Sequence, residues 1–380
     1  MKGRRRPATG LEPSQGVPIV TLFPRSIPRV LMAAFLVGTP MASQAMTQDE
    51  IALLKGPDRQ KILEAGAAKE GEVMFYSGMI VNQALRPIAD GFQQKYPNVK
   101  AQFWRGQTSE ILQKVLAEIR AKNQYGDVIE WGGGTIAAVK ANAVAPFHSP
   151  ESDAYDKNYW DSARGFWGGT RMSYFGLAYN TRQVAEKDVP KAFDDLLDPK
   201  WKDKLAWPIA ETGHQTFIAN LMISRGQEKA EEYLKKLAQN RIVAFTPAAR
   251  ALVDRVGQGE YPLGVNIYAH HPLISKEQGA PLDVAMQEPI PSNLSSVQLI
   301  RGAPHPHAAM LLIDFIMSKK GHEILRDADY LPSRLDVDLP QSLRKIVPGL
   351  TKQKETVFTP EALFDSLDKS QALYQKYFSY

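Results

Sequence analysis

The chain has 380 residues, of which 44% are hydrophobic and 23% charged, with no cysteine; this is the composition of a folded globular protein rather than a disordered, collagenous or disulfide-stapled one. The absence of cysteine removes thiolate zinc sites, iron–sulfur clusters, a cysteine nucleophile and a thioether lipid anchor. The net charge of +5 belongs to the first 45 residues, which hold six Lys and Arg against Glu12 alone, so the remaining 335 carry 40 charges of each sign and offer nucleic acid no global field.

Arg25 and Arg29 precede an apolar run, Val30 to Val37, that breaks at Gly38 and Pro40 and ends in Ser43-Gln44-Ala45. A basic region, a short apolar region and small residues before a cleavage point read as a secretory signal over residues 1–45. The run is well short of the ~20 apolar residues that span a bilayer, so no membrane-embedded segment is expected. The exported product is expected in the periplasm, free of lipid.

From residue 48 an amphipathic start leads into alternating short β-rich and helical runs. Val73–Tyr76 is strand-like, and Leu85, Ile88, Ala89, Phe92 and Tyr96 recur at helical spacing. Val99–Trp104 is a second strand, followed by a helix face of Ile111, Leu112, Val115, Leu116 and Ile119; Asp127–Trp131 is a third strand, before a helix over Thr135–Ala143. After a long connection over 147–170, Met172–Tyr179 is strand-like. Leu205–Trp207 and Leu263–Tyr268 are further strands. A helix carrying Phe217, Ile218, Leu221 and Met222 opens at Thr212, and Ile242–Phe245 leads into a helix with Leu252, Val253 and Val256. Repeated βαβ units predict parallel, doubly wound sheets in two lobes.

In such sheets ligands sit beyond the carboxyl ends of the strands. Those turns read Ser77-Gly78, Arg105-Gly106-Gln107-Thr108-Ser109, Trp131-Gly132-Gly133-Gly134-Thr135 and Thr212-Gly213-His214. Each pairs glycine, which lets a backbone approach a ligand, with a hydroxyl or amide that caps the next helix, and free N–H groups at helix N-termini favour anions. Gly132 to Ala137 fits a dinucleotide fingerprint, but its helix is short and no strand ending in an acid follows at the distance ribose recognition needs. His270-His271 and the His305-Pro306-His307 run suggest a metal; on an extended segment, however, His270 and His271 point to opposite faces. No serine elbow, H-E-x-x-H or P-loop is present, so no catalytic device is read and no cofactor is expected.

Four runs, Gly71 to Gly78, Asp198-Pro199-Lys200-Trp201-Lys202-Asp203-Lys204, Gly257 to Tyr261 and His305 through Gly321, together resemble the periplasmic solute-binding proteins of ABC importers that include the ferric-iron-binding proteins. The resemblance implies an α/β fold of the type II periplasmic-binding class: two doubly wound lobes around a ligand cleft, joined by two hinge crossings near Tyr179 and Ser295–Val297. It divides the chain into a signal (1–45), a first lobe (46–178 with 296–337), a second lobe (179–295) and a helical extension (338–380) packing on the second. It also implies a monomer that delivers a small-molecule solute to a membrane permease, without catalysis. The family's ferric ligands would fall at Ile80, Gly133, Tyr268 and Ala269, and a lone phenolate does not hold a hard trivalent cation. Its anion-holding segment would fall at Thr212-Gly213-His214 and Asn266. The expected ligand is therefore a small organic anion, such as a carboxylate, phosphonate or sugar phosphate, with ferric iron or another metal as the alternative. The expected site is Ser77, Gly78, Arg105, Thr108, Gly132, Thr212, Gly213, His214 and Asn266, with Trp131 and Tyr268 packing on the ligand's apolar or ring portion.

Overall fold

The structure, a computed structural model, describes residues 46–209 and 213–379. The expected signal at 1–45 and Thr212 lie outside the described residues. Helix α1 (Gln48–Ala52) is capped by Thr47, and α2 (Arg59–Glu70) stops at Gly71, whose φ of 77° is the left-handed turn glycine accepts without cost. The first run then builds β1 (Glu72–Ser77), α3 (Arg86–Lys95), β2 (Lys100–Arg105), α4 (Thr108–Ala121), β3 (Val128–Trp131), α5 (Thr135–Lys140) and β4 (Val144–Ala145). Strand β1 lies between β2 and β3, parallel to both. Being covered on both faces, it carries apolar side chains in both directions: Val73 and Phe75 towards α3, Tyr76 towards α4.

The chain then enters β5 (Gly168–Asn180). The second run adds β6 (Leu205–Pro208), α6 (Gly213–Arg225), α7 (Gln227–Leu237), β7 (Val243–Phe245), α8 (Ala249–Gln258), β8 (Leu263–Tyr268), α9 (His270–Glu277) and β9 (Leu282–Ala285). The return strand is β10 (Ile290–Ile300), followed by α10 (Pro306–Met317), α11 (Lys319–Asp327), β11 (Leu331–Pro332), α12 (Gln341–Arg344), α13 (Pro348–Thr351), β12 (Glu355–Phe358) and α14 (Pro360–Phe378).

The main strand order is β2-β1-β3-β10-β5-β8-β6-β7. Strand β5 belongs to both ends of this curled sheet. Residues 168–174 pair with β10 in one part, and from Phe175 onward it pairs with β8 and β9 in the other. The change of partner therefore falls between Tyr174 and Phe175. Tyr179 lies inside the second part, and Ser295–Val297 lie within the first, paired to β3 and β5. Gly176 lies just past the change, but inside a continuous strand and with no proline beside it, so it does not read as a turn.

Helix α10 is apolar on nearly every face because it is buried between α2 and the first part of the sheet. Its first turn is satisfied from a distance: Glu70 accepts from His307 N, Ala308 N and His307 Nδ1, while Asp127 accepts from His305 N and Nδ1. These contacts account for the His-Pro-His run as helix capping. The second part of the sheet packs Trp207, Phe217, Leu221 and Leu263 against Leu373, Tyr374 and Phe378 of α14. No helix among the described residues is long and apolar enough to cross a membrane.

His322 is buried between Tyr155 and Ser333, donates from Nδ1 to Ser318 O and accepts from Ser333 Oγ at 3.1 Å, so the fold uses the neutral ring. Burial holds its pKa down at about 4 against an ordinary 6.5. The unfolded chain thus binds a proton that the native chain refuses across this window, and stability falls as pH drops through it, by at most about 1.4 kcal/mol per pH unit. Thermal melts between neutral pH and pH ~4.5 are expected to show that fall, and His322→Gln to make it shallower, the remainder coming from other buried histidines such as His270 and His271; parallel curves for the two proteins would contradict the assignment.

Candidate functional site

The three carboxyl-end turns of the first part meet as expected. Gly106 N donates to Ser77 O at 3.2 Å, and Thr108 Oγ1 donates to Gly132 O at 3.3 Å. Gly78 lies against Gly106, where an added Cβ would sit 3.5 Å from the carbonyl oxygen. Gly133 has φ 97°, the left-handed conformation that makes glycine the fitting residue in this turn. Arg105 is exposed at the rim and donates from Nε to Met79 O at 3.2 Å.

At the centre of these turns is Glu130, fully buried at the end of β3. It accepts from Ser77 Oγ at 2.7 Å, Thr170 Oγ1 at 3.0 Å and Arg171 Nε at 3.1 Å. Ser77 Oγ in turn accepts from Met79 N at 3.0 Å. The Ser77 hydroxyl is thereby committed to the scaffold, which corrects its expected role as a ligand donor.

Arg171 was not read from the sequence as a site residue. Its side chain is 16% exposed and lies with the guanidinium 4.7 Å from the centre of the Tyr330 ring. Burial disfavours its charge, but Glu130 and then the phenols of Tyr330 and Tyr268 outweigh that and raise its pKa further. Only Nε has a protein acceptor among the described residues, so the two terminal nitrogens present a planar fork of donors suited to an oxyanion.

In the second part, Asn266 adopts a left-handed φ of 51° and is 4% exposed. Its amide donates to Gly213 O at 2.6 Å and to Thr216 Oγ1 at 3.0 Å. Asn266 therefore ties the first turn of α6 to β8, and this replaces the expected direct anion contact with a positioning one. Tyr268 packs on Phe175 of β5 at 5.0 Å between ring centres. Arg171 and Phe175, four positions apart on one strand, thus bring Glu130 and Tyr268 to the same region.

Two expected site residues face elsewhere. Trp131 is 1% exposed in the apolar cluster with Ile111, Val115 and Ile129, under the turn that Gly134 closes against its ring. Alternation along β3 sends Glu130 towards the site and Trp131 to the opposite face. His214 is buried under α14, its ring 4.6 Å from Tyr374 and Nε2 3.4 Å from Gln371 Oε1, so it packs on that helix. His270 and His271 begin α9 instead of extending β8, which puts their rings 4.4 Å apart and Tyr268 beside both. Burial, with Arg250 adding to it, lowers His271 to about 4; His270 is held well below the ordinary range by burial, His271 and Arg171. Both rings are neutral at neutral pH. Among the described residues no group of three or more His, Asp or Glu side chains could hold a metal ion.

The sequence profile of the bacterial extracellular solute-binding proteins matches residues 136–349. An uncharacterized protein of Haemophilus influenzae is 26% identical over 321 residues, covering 80% of this chain and 87% of that one. Among solved structures, the fold is similar to the periplasmic binding protein AfuA from Actinobacillus pleuropneumoniae, solved with exogenous fructose-6-phosphate bound: TM-score 0.66, 25% identity, 81% of this chain and 98% of that one. It is also similar to iron-bound HitA from Pseudomonas aeruginosa, with TM-score 0.68, 21% identity, and coverage of 80% and 98%. The fold is that of the type II periplasmic binding proteins.

The Asn266 tie is directly testable. Asn266→Ala is expected to cost about 2–3 kcal/mol in urea unfolding, from two lost hydrogen bonds and a left-handed backbone. Asn266→Gly should cost less, because glycine accepts that backbone. Equal losses would leave the backbone strain unsupported.

Proposed function

Because the chain belongs to the bacterial extracellular solute-binding proteins, we propose that it captures a small organic anion between its two sheet-bearing parts, in the periplasm, and delivers it to the membrane permease of an ABC importer. The two parts act as lobes, with β5 and β10 as the strands that bend when ligand draws them together. No bond is made or broken. Affinity for the closed arrangement is all the function requires.

The observation that carries this reading is the Arg171 fork: a guanidinium largely withdrawn from water, with one nitrogen held by Glu130 and two without a protein acceptor among the described residues. A carboxylate, phosphonate or phosphate oxygen pair matches that geometry bidentately. Arg105 adds a second positive charge at the rim. The Gly106, Gly132 and Gly133 turns let backbone N–H groups approach the ligand, and the first turn of α6 does so from the other side. Tyr268 and Tyr330 supply ring faces for the remainder of the ligand. The bound fructose-6-phosphate of AfuA supports an anionic solute of this class.

Iron-bound HitA favours the alternative of a metal carrier. A phenolate-to-iron charge-transfer colour on adding ferric salt is its signature. Thermal-shift screening of carboxylates, phosphonates, sugar phosphates and ferric salt is expected to raise the melting temperature with an organic anion. Arg171→Gln combined with Glu130→Gln removes the charge without stranding a buried carboxylate. By calorimetry it is expected to weaken that anion about 10–150-fold, the worth of charge-assisted hydrogen bonds. Unchanged affinity would remove Arg171 from the site.

A further inference from the structure

Helix α14 spans the gap between the two parts. It is held on the second part by apolar burial: Phe378 meets Trp207 at 4.6 Å between ring centres, Leu373 and Tyr374 join the same cluster, and Leu363 clusters with Ala219 of α6. Gln371 accepts from Gln215 in the first turn of α6 at 3.0 Å, and Lys376 pairs with Glu231 at 2.7 Å.

Its first turns contact the other part. Glu361 pairs with Arg164 and accepts from Trp167 Nε1 at 3.3 Å. The ring of Phe364 lies 4.0 Å from Lys140 Nζ at the end of α5. Leu363 sits beside Gly133, where an added Cβ would be 3.6 Å from its Cδ2. One rigid helix thus touches the turn before α5 and the first turn of α6, the two glycine turns that face each other across the proposed cleft.

We propose that α14 is a strap that sets the resting angle between the two parts, anchored on the second and latched to the first through Glu361 and Phe364. The asymmetry of the contacts gives the mechanism. The anchor is buried and apolar, while the latch is an ion pair, with Arg164 at 45% and Glu361 at 38% exposure, and a cation–ring contact between Lys140 and Phe364. When β5 and β10 bend, the helix travels with its buried anchor and the latch releases. This rests on the reading of the two parts as moving lobes, but its test needs no ligand.

The sequence has no cysteine, so two introduced thiols are the only labelling sites. Ala117→Cys on α4 and Gln258→Cys on α8 are exposed positions on opposite parts. Spin labels there report the inter-part distance by pulsed electron resonance without any solute. The parent is expected to give one narrow distribution. Glu361→Ala with Phe364→Ala should widen it and shift its mean by several ångströms, with Glu361→Gln intermediate because it keeps an acceptor for Trp167. Lys376→Ala, at the anchored end, should leave the parent distribution unchanged. Trp167 fluorescence should shift in the Glu361 variants alone. A latch variant that superimposes on the parent, or a Lys376→Ala protein that widens equally, overturns the strap. If the Arg171 experiment fails while the latch variant widens the distribution, the strap stands and the anion reading falls.

Discussion

A buried carboxylate cannot be left unpaired, and the Glu130–Arg171 pair is where this structure meets that constraint. Glu130 is fully enclosed, and its oxygens take hydrogen bonds from Ser77 at the end of β1 and from Thr170 and Arg171 on β5. Three segments far apart in sequence are thereby fixed around one charge. Taking away a single partner from such a pair typically costs about 3–5 kcal/mol, since the other charge stays buried and uncompensated. Among the described residues the pair uses only Nε of the guanidinium. What secures the fold therefore also leaves a directed cationic fork at the base of the candidate site, on the strand shared by both parts of the sheet.

Much of the architecture was legible from periodicity. The strands Val73–Tyr76, Val99–Trp104, Asp127–Trp131 and Leu263–Tyr268 all correspond to observed strands, the first three with glycine-bearing turns at their carboxyl ends. Helical spacing in 111–119 and 252–256 correctly marked the buried faces of α4 and α8. Where the partners of a strand change was not legible. Strand β5 reads as one apolar run because most of it is buried, and Gly176, inside the continuous strand, does not announce that the residues before it pair with β10 and those after it with β8 and β9. The helical start at His270 was also hidden, since Pro272 fits the first turn of a helix as readily as a loop.

The site was less legible than the fold because polar residues near strand ends serve two purposes that look alike in sequence. Ser77 and Asn266 have the composition of ligand donors, yet both are turned inward to hold backbone in place. Glu130 and Arg171 occupy positions that read as ordinary strand residues. Their significance depends on a lateral contact between β3 and β5 that no local pattern encodes. Trp131 and His214 show the complementary case: large side chains beside glycine turns that the alternation of a strand and the packing of a C-terminal helix direct into the core.

The same pair bears on whether the site suits an anion or a metal. A hard trivalent cation needs several anionic oxygens directed at one point. Here Tyr268 is the phenol at one of the four expected positions, and the others are Ile80, Gly133 and Ala269, none of which carries an oxygen donor on its side chain. Glu130 is a buried carboxylate among the described residues, but its lone pairs already receive Ser77, Thr170 and Arg171, and turning it towards a metal would break all three bonds. Arg171 adds positive charge where a cation would have to sit, and Coulomb repulsion in a partly buried site is screened far less than on an open surface. An anion reverses each of these terms: it is attracted by the fork, leaves Glu130 in place and needs no phenolate. On the proposed reading, the pairing that holds Glu130 against Arg171 favours an anionic solute over a cation.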